Sequence, residues 1–168
     1  MPILMLMNTN VKPIPDGFHT LTPCLAIKGA AKAIDFYKCA FGAEERGRME
    51  GSDGKTIAHA EIVIGDSIIM LGDEMDGFGN RSPQSLKGTP VTFALYVEDA
   101  DAAFGRAVEA GAKVVFPVAD KFWGDRSGCV EDPFGYQWVL LTHKEDVPPD
   151  EMKKRMAVEC AKMAQQKK

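Results

Sequence analysis

The residues best suited to chemistry lie in a short segment, Phe122 to Arg126, where two aromatic side chains precede a carboxylate and a guanidinium. Phe122 and Trp123 can form an aromatic wall that stacks on a ligand, or a hydrophobic plug that fills the interior. Asp125 and Arg126 can pair with each other and brace a turn, or Arg126 can bind an anionic ligand. The segment therefore predicts an aromatic binding surface, and the structural alternatives stay open.

The histidines are the next candidates, for metal binding or proton transfer. His59 and Glu61 share one face of a predicted strand, because side chains two residues apart point the same way. A site built from His59, Glu61 and His143 would offer the imidazole and carboxylate donors that divalent metal ions use. Glu61 is also a candidate acid or base for catalysis. The simpler interpretation is that all three are polar residues of a surface or rim.

Composition and motifs exclude several classes of protein. The net charge of −4 gives no basic footprint for nucleic acid, and no apolar run is long enough to span a membrane. The 4 cysteines form no C-x-x-C pair, which favours reduced thiols and a cytoplasmic protein. The sequence contains no nucleophile elbow, phosphate-binding loop or dinucleotide-binding glycine pattern.

The elements that must position these residues occur twice along the chain. Leu25 and Leu95 each begin a segment that leads into a helical run, Ala31 to Phe41 in the first copy and Asp101 to Ala110 in the second. Both runs end in Gly-Ala, and Asp99 is a suitable N-cap for the second helix. Three strands are predicted to follow each helix, and the acidic segment after the first copy is predicted to be a solvated loop. The chain therefore predicts two β-α-β-β-β modules.

These elements divide the chain into an arm, a two-module body and a tail. The predicted parts are an N-terminal arm (1–18), module one (19–74), a linker (75–90), module two (91–145) and a C-terminal amphipathic helix (146–168). The first strand of module one is predicted to start at Thr20. In the tail, methionines at helical spacing predict a helix that docks on the body or across a dimer.

Three motifs carry a resemblance to a known superfamily. They are Ile34 to Tyr37 in the first helix, Glu131 to Tyr136 before the last strand, and Phe122 to Arg126. With the tail, they resemble the vicinal oxygen chelate superfamily of glyoxalases, bleomycin resistance proteins and dioxygenases, and within it the PhnB-like branch. The resemblance implies an α+β fold whose curved mixed sheets form an open barrel-like cavity. It also implies a homodimer.

The resemblance further implies where a divalent metal ion would be bound in a metal-dependent member. Those positions fall on Thr22, Met70 (or Ile69 after a shift of one residue), Thr92 and Val139. None of these side chains is a good ligand for such an ion, which needs imidazole, carboxylate or thiolate donors. We therefore expect no metal cofactor, with one divalent metal ion as the alternative.

Strand alternation, anchored on those positions, predicts which side chains line the cavity. The predicted ligand-binding residues are Thr22, Cys24, Met70, Thr92, Tyr96, Phe122, Trp123, Arg126, Gln137 and Val139. A mostly apolar lining with a few hydroxyl and amide groups predicts a small apolar or aromatic ligand. One alternative is a lyase or dioxygenase-type enzyme with a relocated metal or an acid–base pair. Another is a dimeric interaction protein whose own side chains fill the cavity.

Overall fold

The computed structural model describes residues 11–75, 77 and 79–166, and it confirms the predicted α+β fold of two βαβββ modules. Module one contains β1 (Cys24–Ile27), α1 (Ala30–Phe41), β2 (Glu44–Glu50), β3 (Ile57–Ile64) and β4 (Ser67–Asp73). Module two contains β5 (Thr92–Tyr96), α3 (Ala100–Glu109), β6 (Lys113–Asp120), β7 (Asp125–Glu131) and β8 (Gln137–His143). A short helix, α2 (Pro83–Leu86), lies between the modules, and α4 (Pro149–Gln166) follows them.

Each module forms one four-stranded mixed sheet. The strand order is β1-β4-β3-β2 in the first sheet and β5-β8-β7-β6 in the second. The first strand of each module runs parallel to the last, and the other neighbours are antiparallel. The parallel pairing requires a long connection, which the helix and the two middle strands of each module supply.

One hydrophobic core is shared by both modules. Leu25 and Ile27 of β1 are buried in it together with Trp138 and Leu140 of β8, as the predicted alternation of faces requires. The ring of Tyr37 on α1 lies 5.5 Å from the ring of Trp138, so module one packs directly on module two. Each sheet therefore turns one face towards the same core.

A buried carboxylate, Asp132, joins the two modules within this core. It accepts hydrogen bonds from the Tyr37 hydroxyl at 2.8 Å and from Trp138 Nε1 at 3.0 Å. The backbone N–H groups of Phe134 and Tyr136 donate to its other oxygen, both at 2.9 Å. The Asp-Pro-Phe-Gly segment is thus a turn, as its composition indicates, and its first residue is also a hydrogen-bonding centre that links α1 to β8.

In each module, a side chain near the end of the last strand accepts hydrogen bonds from the backbone at the start of the helix. At the end of β4, the Asp73 carboxylate accepts from the N–H groups of Gly29 at 2.8 Å and Ala30 at 2.9 Å. At the equivalent end of β8, the Thr142 hydroxyl accepts from the N–H of Ala100 at 2.8 Å. The prediction of a solvated acidic loop after β4 is wrong for Asp73. Its carboxylate accepts hydrogen bonds from backbone N–H groups that have no partner within the helix.

Two boundaries differ from the sequence-based prediction. The strand predicted from Thr20 begins four residues later, at Cys24, because Pro23 has no N–H to donate and the Thr22 hydroxyl turns back to the carbonyl of His19. The linker contains α2, whose N-cap is Ser82 with Pro83 in the first turn. The first ten residues of the predicted arm lie outside the described residues.

The C-terminal helix contacts the body through charged side chains. Arg155 pairs with Glu145 at 2.7 Å, while Met156, Val158 and Met163 remain exposed. The predicted docking of an apolar stripe on the body is therefore not what the single chain shows, and docking across a dimer stays a prediction. None of the described helices has the length and apolar character needed to cross a membrane.

Candidate functional site

Each sheet has an outer face, which we define as the face that points away from the shared core. The register of β5 and β8 pairs Thr92 with Gln137 and places Val139 beside Ala94. Because Trp138 and Leu140 point into the core, their neighbours Gln137 and Val139 point outwards. The outer face of the second sheet therefore brings together four predicted ligand-binding residues, namely Thr92, Tyr96, Gln137 and Val139.

Three side chains converge on the carboxylate of Asp125 at one end of this outer face. Trp123 Nε1 donates to Oδ2 at 2.9 Å, and the Tyr96 hydroxyl donates to the same oxygen at 3.4 Å. His143 Nδ1 lies 2.8 Å from Oδ1. Asp125 is 5% exposed, whereas Tyr96 is 62% exposed and Trp123 is 38% exposed. These four residues, which we call the Asp125 cluster, combine a buried carboxylate with an exposed aromatic rim.

The electrostatics of the Asp125 cluster are set by two carboxylates around one imidazole. The pKa of His143 is raised above its ordinary value, first by its hydrogen bond to Asp125 and then by the hydrogen bond of Nε2 to Asp146. A carboxylate only accepts hydrogen bonds, so Nδ1 carries the proton that points at Asp125. Asp146 is fully exposed, and its contact with Nε2 at 3.1 Å is a surface contact that solvent screens.

Two further residues of β7 lie beside the cluster. A side chain at Gly128 would point at the ring of Phe104 on α3, so its neighbours Ser127 and Cys129 point to the outer face. The buried Oγ of Ser127 has no hydrogen-bond partner among the described residues. Burial raises the pKa of the Cys129 thiol, which makes this cysteine a poor nucleophile.

Arg126 lies on the opposite face of the sheet from the Asp125 cluster. Its guanidinium pairs with Asp101 of α3 and with Asp120 of β6, the latter at 3.1 Å. The predicted pairing of Asp125 with Arg126 is therefore wrong, because consecutive strand residues point to opposite faces. Arg126 instead ties α3 to the edge of the second sheet.

The two aromatic residues before β7 have different surroundings. The rings of Phe122 and Trp123 meet edge to face with centroids 5.0 Å apart. Phe122 lines a cleft of about 390 Å³ beside α4, together with Lys154 and Val158. Trp123 reaches across to Asp125 and stays partly exposed, so it does not plug the interior.

The remaining predicted residues are on the first sheet. Met70 is the register partner of both Cys24 on β1 and Glu61 on β3, so the three form one patch on the outer face. Glu61 forms an ion pair with Arg46 at 3.3 Å and lies 3.6 Å from His59. Thr22 lies in the irregular segment before β1.

The alternative metal site of His59, Glu61 and His143 is not assembled. His59 and Glu61 lie on the first sheet, whereas His143 ends β8 on the second sheet and bonds to Asp125. Among the described residues, no group of three His, Cys, Asp or Glu side chains could hold a metal ion. The positions implied by the resemblance, including Met70 and Val139, have the wrong donor chemistry for one.

The two outer faces do not enclose one cavity within a single chain. Both sheets turn their other faces to the same core, so the outer faces point away from each other. On the first sheet, a cleft of about 230 Å³ is lined by residues that include Cys24, His59 and Asp73. That volume is below the range of roughly 300–1,000 Å³ typical of small-molecule sites.

The sequence analysis did not predict that the Asp125 carboxylate accepts hydrogen bonds from Tyr96 and Trp123. It also did not predict that His143 contacts the same carboxylate. One signal was available, because alternation along β7 and β8 places Asp125 and His143 on the face of Val139. Their pairing across the two strands depends on the register, in which Asp125 is the partner of His143. The register cannot be read from either strand alone.

Comparisons with known sequences agree with the fold. A family model described as the Glyoxalase/Bleomycin resistance protein/Dioxygenase superfamily matches residues 18–140. An uncharacterised protein of Mycobacterium bovis is 46% identical over 154 residues, which cover 90% of this chain and 97% of the relative. An uncharacterised protein of Arabidopsis thaliana is 36% identical over 127 residues, which cover 72% of this chain and 75% of the relative.

Solved structures show the same architecture. The X-ray structure of an Arabidopsis thaliana gene product matches with a TM-score of 0.61 and 32% identity, over 73% of this chain and 98% of that one. TioX from a Micromonospora species matches with a TM-score of 0.58 and 28% identity, over 73% and 97% of the two chains. A PhnB protein from Bacillus cereus has a TM-score of 0.58 over 74% and 99% of the chains, and at 18% identity it shows likeness of fold alone.

Proposed function

Because the chain belongs to the glyoxalase/bleomycin resistance protein/dioxygenase superfamily, we propose that it binds a small apolar or aromatic molecule against the outer face of the second sheet, without a metal ion. The observation that carries the proposal is the Asp125 cluster. Tyr96 and Trp123 are exposed aromatic side chains, and their hydrogen bonds to a buried carboxylate hold them in place. Preorganised aromatic rings with few polar groups suit a planar ligand.

The chemistry of the predicted metal positions supports binding without a metal ion. Thr92 and Val139 on the second sheet supply a hydroxyl and a hydrocarbon, and Met70 on the first supplies a thioether. Such donors do not fit a hard or borderline divalent ion. The same positions suit contacts with the apolar surface of a ligand.

We further propose that a second copy of the chain completes the site. The outer face of the second sheet leaves Tyr96 and Trp123 exposed, and the first sheet leaves Met49 exposed beside His59. Pairing the second sheet of one protomer with the first sheet of its partner would cover both surfaces at once. It would also form two equivalent sites related by a twofold axis. Met70, Cys24 and Glu61 of the partner would then face the Asp125 cluster.

The cysteines support a location in a reducing compartment. Cys24, Cys39, Cys129 and Cys160 are all free thiols. Free thiols persist where cellular reductants maintain them, so we propose that the protein is cytoplasmic.

The test of binding uses N-phenyl-1-naphthylamine, a neutral aromatic probe whose fluorescence rises in apolar surroundings. The native protein is expected to bind it saturably, and Trp123→Ala is expected to weaken binding by about fivefold, since loss of one stacking ring costs of order 1 kcal/mol. Val108→Ala is the matched control, because Val108 is an exposed apolar residue on α3. Equal affinity in the native protein and both variants would show that Trp123 is not part of the site. Absence of saturable binding to the native protein would refute the proposed function.

A further inference from the structure

We propose that the buried hydroxyl group of Ser127 is a polar subsite that selects ligands with an uncharged hydrogen-bond acceptor, such as the carbonyl oxygen of a ketone or an ester. This inference rests on the proposed function, because the ligand must first lie against Trp123 on the outer face of the second sheet. It deepens that function by naming a chemical group that the ligand carries beside its apolar or aromatic body.

Ser127 is a buried polar side chain whose hydrogen-bonding capacity is not used within the protein. It is 1% exposed, and its Oγ has no partner among the described residues. Burial of a hydroxyl group without a partner is destabilising, so buried polar side chains are nearly always hydrogen bonded. Because this exception lies within the proposed site, a ligand atom is the partner that the hydroxyl proton requires.

Ser127 belongs to a row of side chains that crosses the outer face of the second sheet. Leu141 of β8 is the register partner of Tyr96 on one side and of Ser127 on the other. The Tyr96 hydroxyl nevertheless reaches Asp125 of β7, so the Tyr96 side chain passes over β8. This position explains why Leu141 is only 6% exposed although its neighbour Leu140 is the residue that points into the core. Tyr96 thus shields the row that contains Ser127.

Tyr96 is the movable member of the Asp125 cluster. Its hydroxyl lies 3.4 Å from Asp125 Oδ2, which is long for an O–H···O hydrogen bond, whereas Trp123 Nε1 lies 2.9 Å from the same oxygen. The Tyr96 side chain is also 62% exposed, so it can rotate into solvent with little loss of packing. Trp123 then stays in place as the stacking surface, and the ligand occupies the space above Ser127.

The charges beside Ser127 determine which acceptor it can bind. Asp125 lies two residues before Ser127 on the same face of β7, and its carboxylate already accepts three hydrogen bonds. Both ring nitrogens of His143 lie against carboxylate oxygens, of Asp125 and of Asp146, so the imidazole is not available to an anionic ligand. A negatively charged oxygen would be repelled by Asp125, and a neutral carbonyl oxygen far less. The Ser127 hydroxyl therefore donates to a neutral oxygen.

The experiment compares three naphthalenes that differ in one substituent. 2-Acetylnaphthalene carries a neutral carbonyl oxygen, 2-ethylnaphthalene has hydrogen atoms in its place, and 2-naphthoate carries a negative charge. The Kd of each is measured at neutral pH by displacement of N-phenyl-1-naphthylamine. The ratio of ketone affinity to hydrocarbon affinity is expected to fall about fivefold from the native protein to Ser127→Ala, which corresponds to about 1 kcal/mol. Naphthoate is expected to bind the native protein most weakly.

A matched serine and a spectroscopic signal control for indirect effects. Ser67→Ala should leave the ratio unchanged, because Ser67 is an exposed serine on β4 whose hydroxyl donates to Asp66 at 2.8 Å. The infrared carbonyl stretch of bound 2-acetylnaphthalene should lie at lower frequency in the native protein than in Ser127→Ala, since a hydrogen bond weakens the C=O bond. Thermal unfolding verifies that both variants are folded. If Ser127→Ala does not fold, the stretch in the native protein, compared with that of the ketone in hexane, decides the question.

The outcomes separate this inference from the proposed function. If the naphthalenes bind but the ratio is the same in Ser127→Ala as in the native protein, the subsite is overturned and the binding function stands. An unshifted carbonyl stretch, or tighter binding of naphthoate than of the ketone, has the same consequence. If the native protein binds neither the fluorescent probe nor any of the naphthalenes, the subsite and the proposed function fail together.

Discussion

At the scale of single residues, buried carboxylates hold this molecule together. Asp132 receives four hydrogen bonds in the core, and Asp125 receives three at the rim of the second sheet. Both act by satisfying donors from several elements at once. A buried carboxylate is stabilising only with such partners, because its charge is costly to remove from water.

Removal of the Asp132 carboxylate tests how much this group contributes to stability. Asp132→Ala leaves the Tyr37 hydroxyl and Trp138 Nε1 buried without an acceptor, and we expect it to lower the free energy of unfolding by about 3 kcal/mol or more. Tyr37→Phe removes one donor and should cost about 1–2 kcal/mol. Denaturant unfolding measures both values. A loss below about 1 kcal/mol for Asp132→Ala would show that the core does not depend on this carboxylate.

The contribution of His143 to stability should depend on pH in a defined direction. Its folded-state pKa is raised, mainly by Asp125, so the folded protein binds this proton more tightly than the unfolded chain does. The contribution is therefore fully present below about pH 6.5, the ordinary histidine value, and is lost as the pH rises through the folded-state pKa. The difference in unfolding free energy between the native protein and His143→Gln should shrink over that range. A difference that grows with pH would reverse the assigned sign.

At the scale of elements, each strand must fit closely against the helix of its module. Gly128 in the middle of β7 shows this, because a Cβ atom there would lie 2.8 Å from the Phe104 ring and 2.9 Å from Val118. The position is glycine because α3 and β6 approach the backbone of β7 at that point. Gly105 on α3 has no neighbouring atom within 4 Å of such a Cβ.

These two glycines provide a matched test of packing. Gly128→Ala is expected to destabilise the protein by about 1–3 kcal/mol, the usual cost of overpacking a core. Gly105→Ala adds the same atom in open space within a helix, and it should raise stability by up to about 1 kcal/mol because alanine favours helix. Thermal or denaturant unfolding of both variants gives the comparison. Similar effects at the two positions would mean that the close approach at Gly128 is not a constraint.

At the scale of the whole molecule, the arrangement of the two sheets determines where a ligand site can form. The core lies between the modules, and each outer face carries part of the predicted ligand-binding set. Cys24 and Met70 are on one sheet, while Tyr96 and Trp123 are associated with the other. We therefore propose that a closed site combines the two outer faces from different copies of the chain.

Mixing two variants distinguishes a shared site from a site within one chain. Met70→Lys alters the first sheet and Tyr96→Lys alters the second, and each homodimer is expected to lose binding of the fluorescent probe. A mixed dimer would retain one site formed from the two unaltered sheets. Equal mixing should therefore restore about one quarter of native capacity under twofold symmetry. No recovery after exchange of subunits, confirmed by mass spectrometry, would place the site within one chain.

The strands, helices and faces could be predicted from the sequence because they depend on short-range periodicity. Three strands follow the helix of each module as predicted, and Asp99 caps α3 as expected by accepting from Ala102 at 3.0 Å. The first strand begins later than predicted for a local reason, because Pro23 has no backbone N–H to donate. The helix in the linker was missed because four residues carry too little periodicity to be detected.

The sequence by itself determined the superfamily, the two-module α+β architecture and the absence of suitable metal-binding residues at the family's usual positions. These depend on residue identity and on spacing within single elements. Only the tertiary structure decided that Asp125 gathers Tyr96, Trp123 and His143, that Arg126 lies on the opposite face, and that His59 and His143 are on different sheets. These depend on strand register and on the packing of one module against the other. Both arise from contacts between residues that are far apart in the chain.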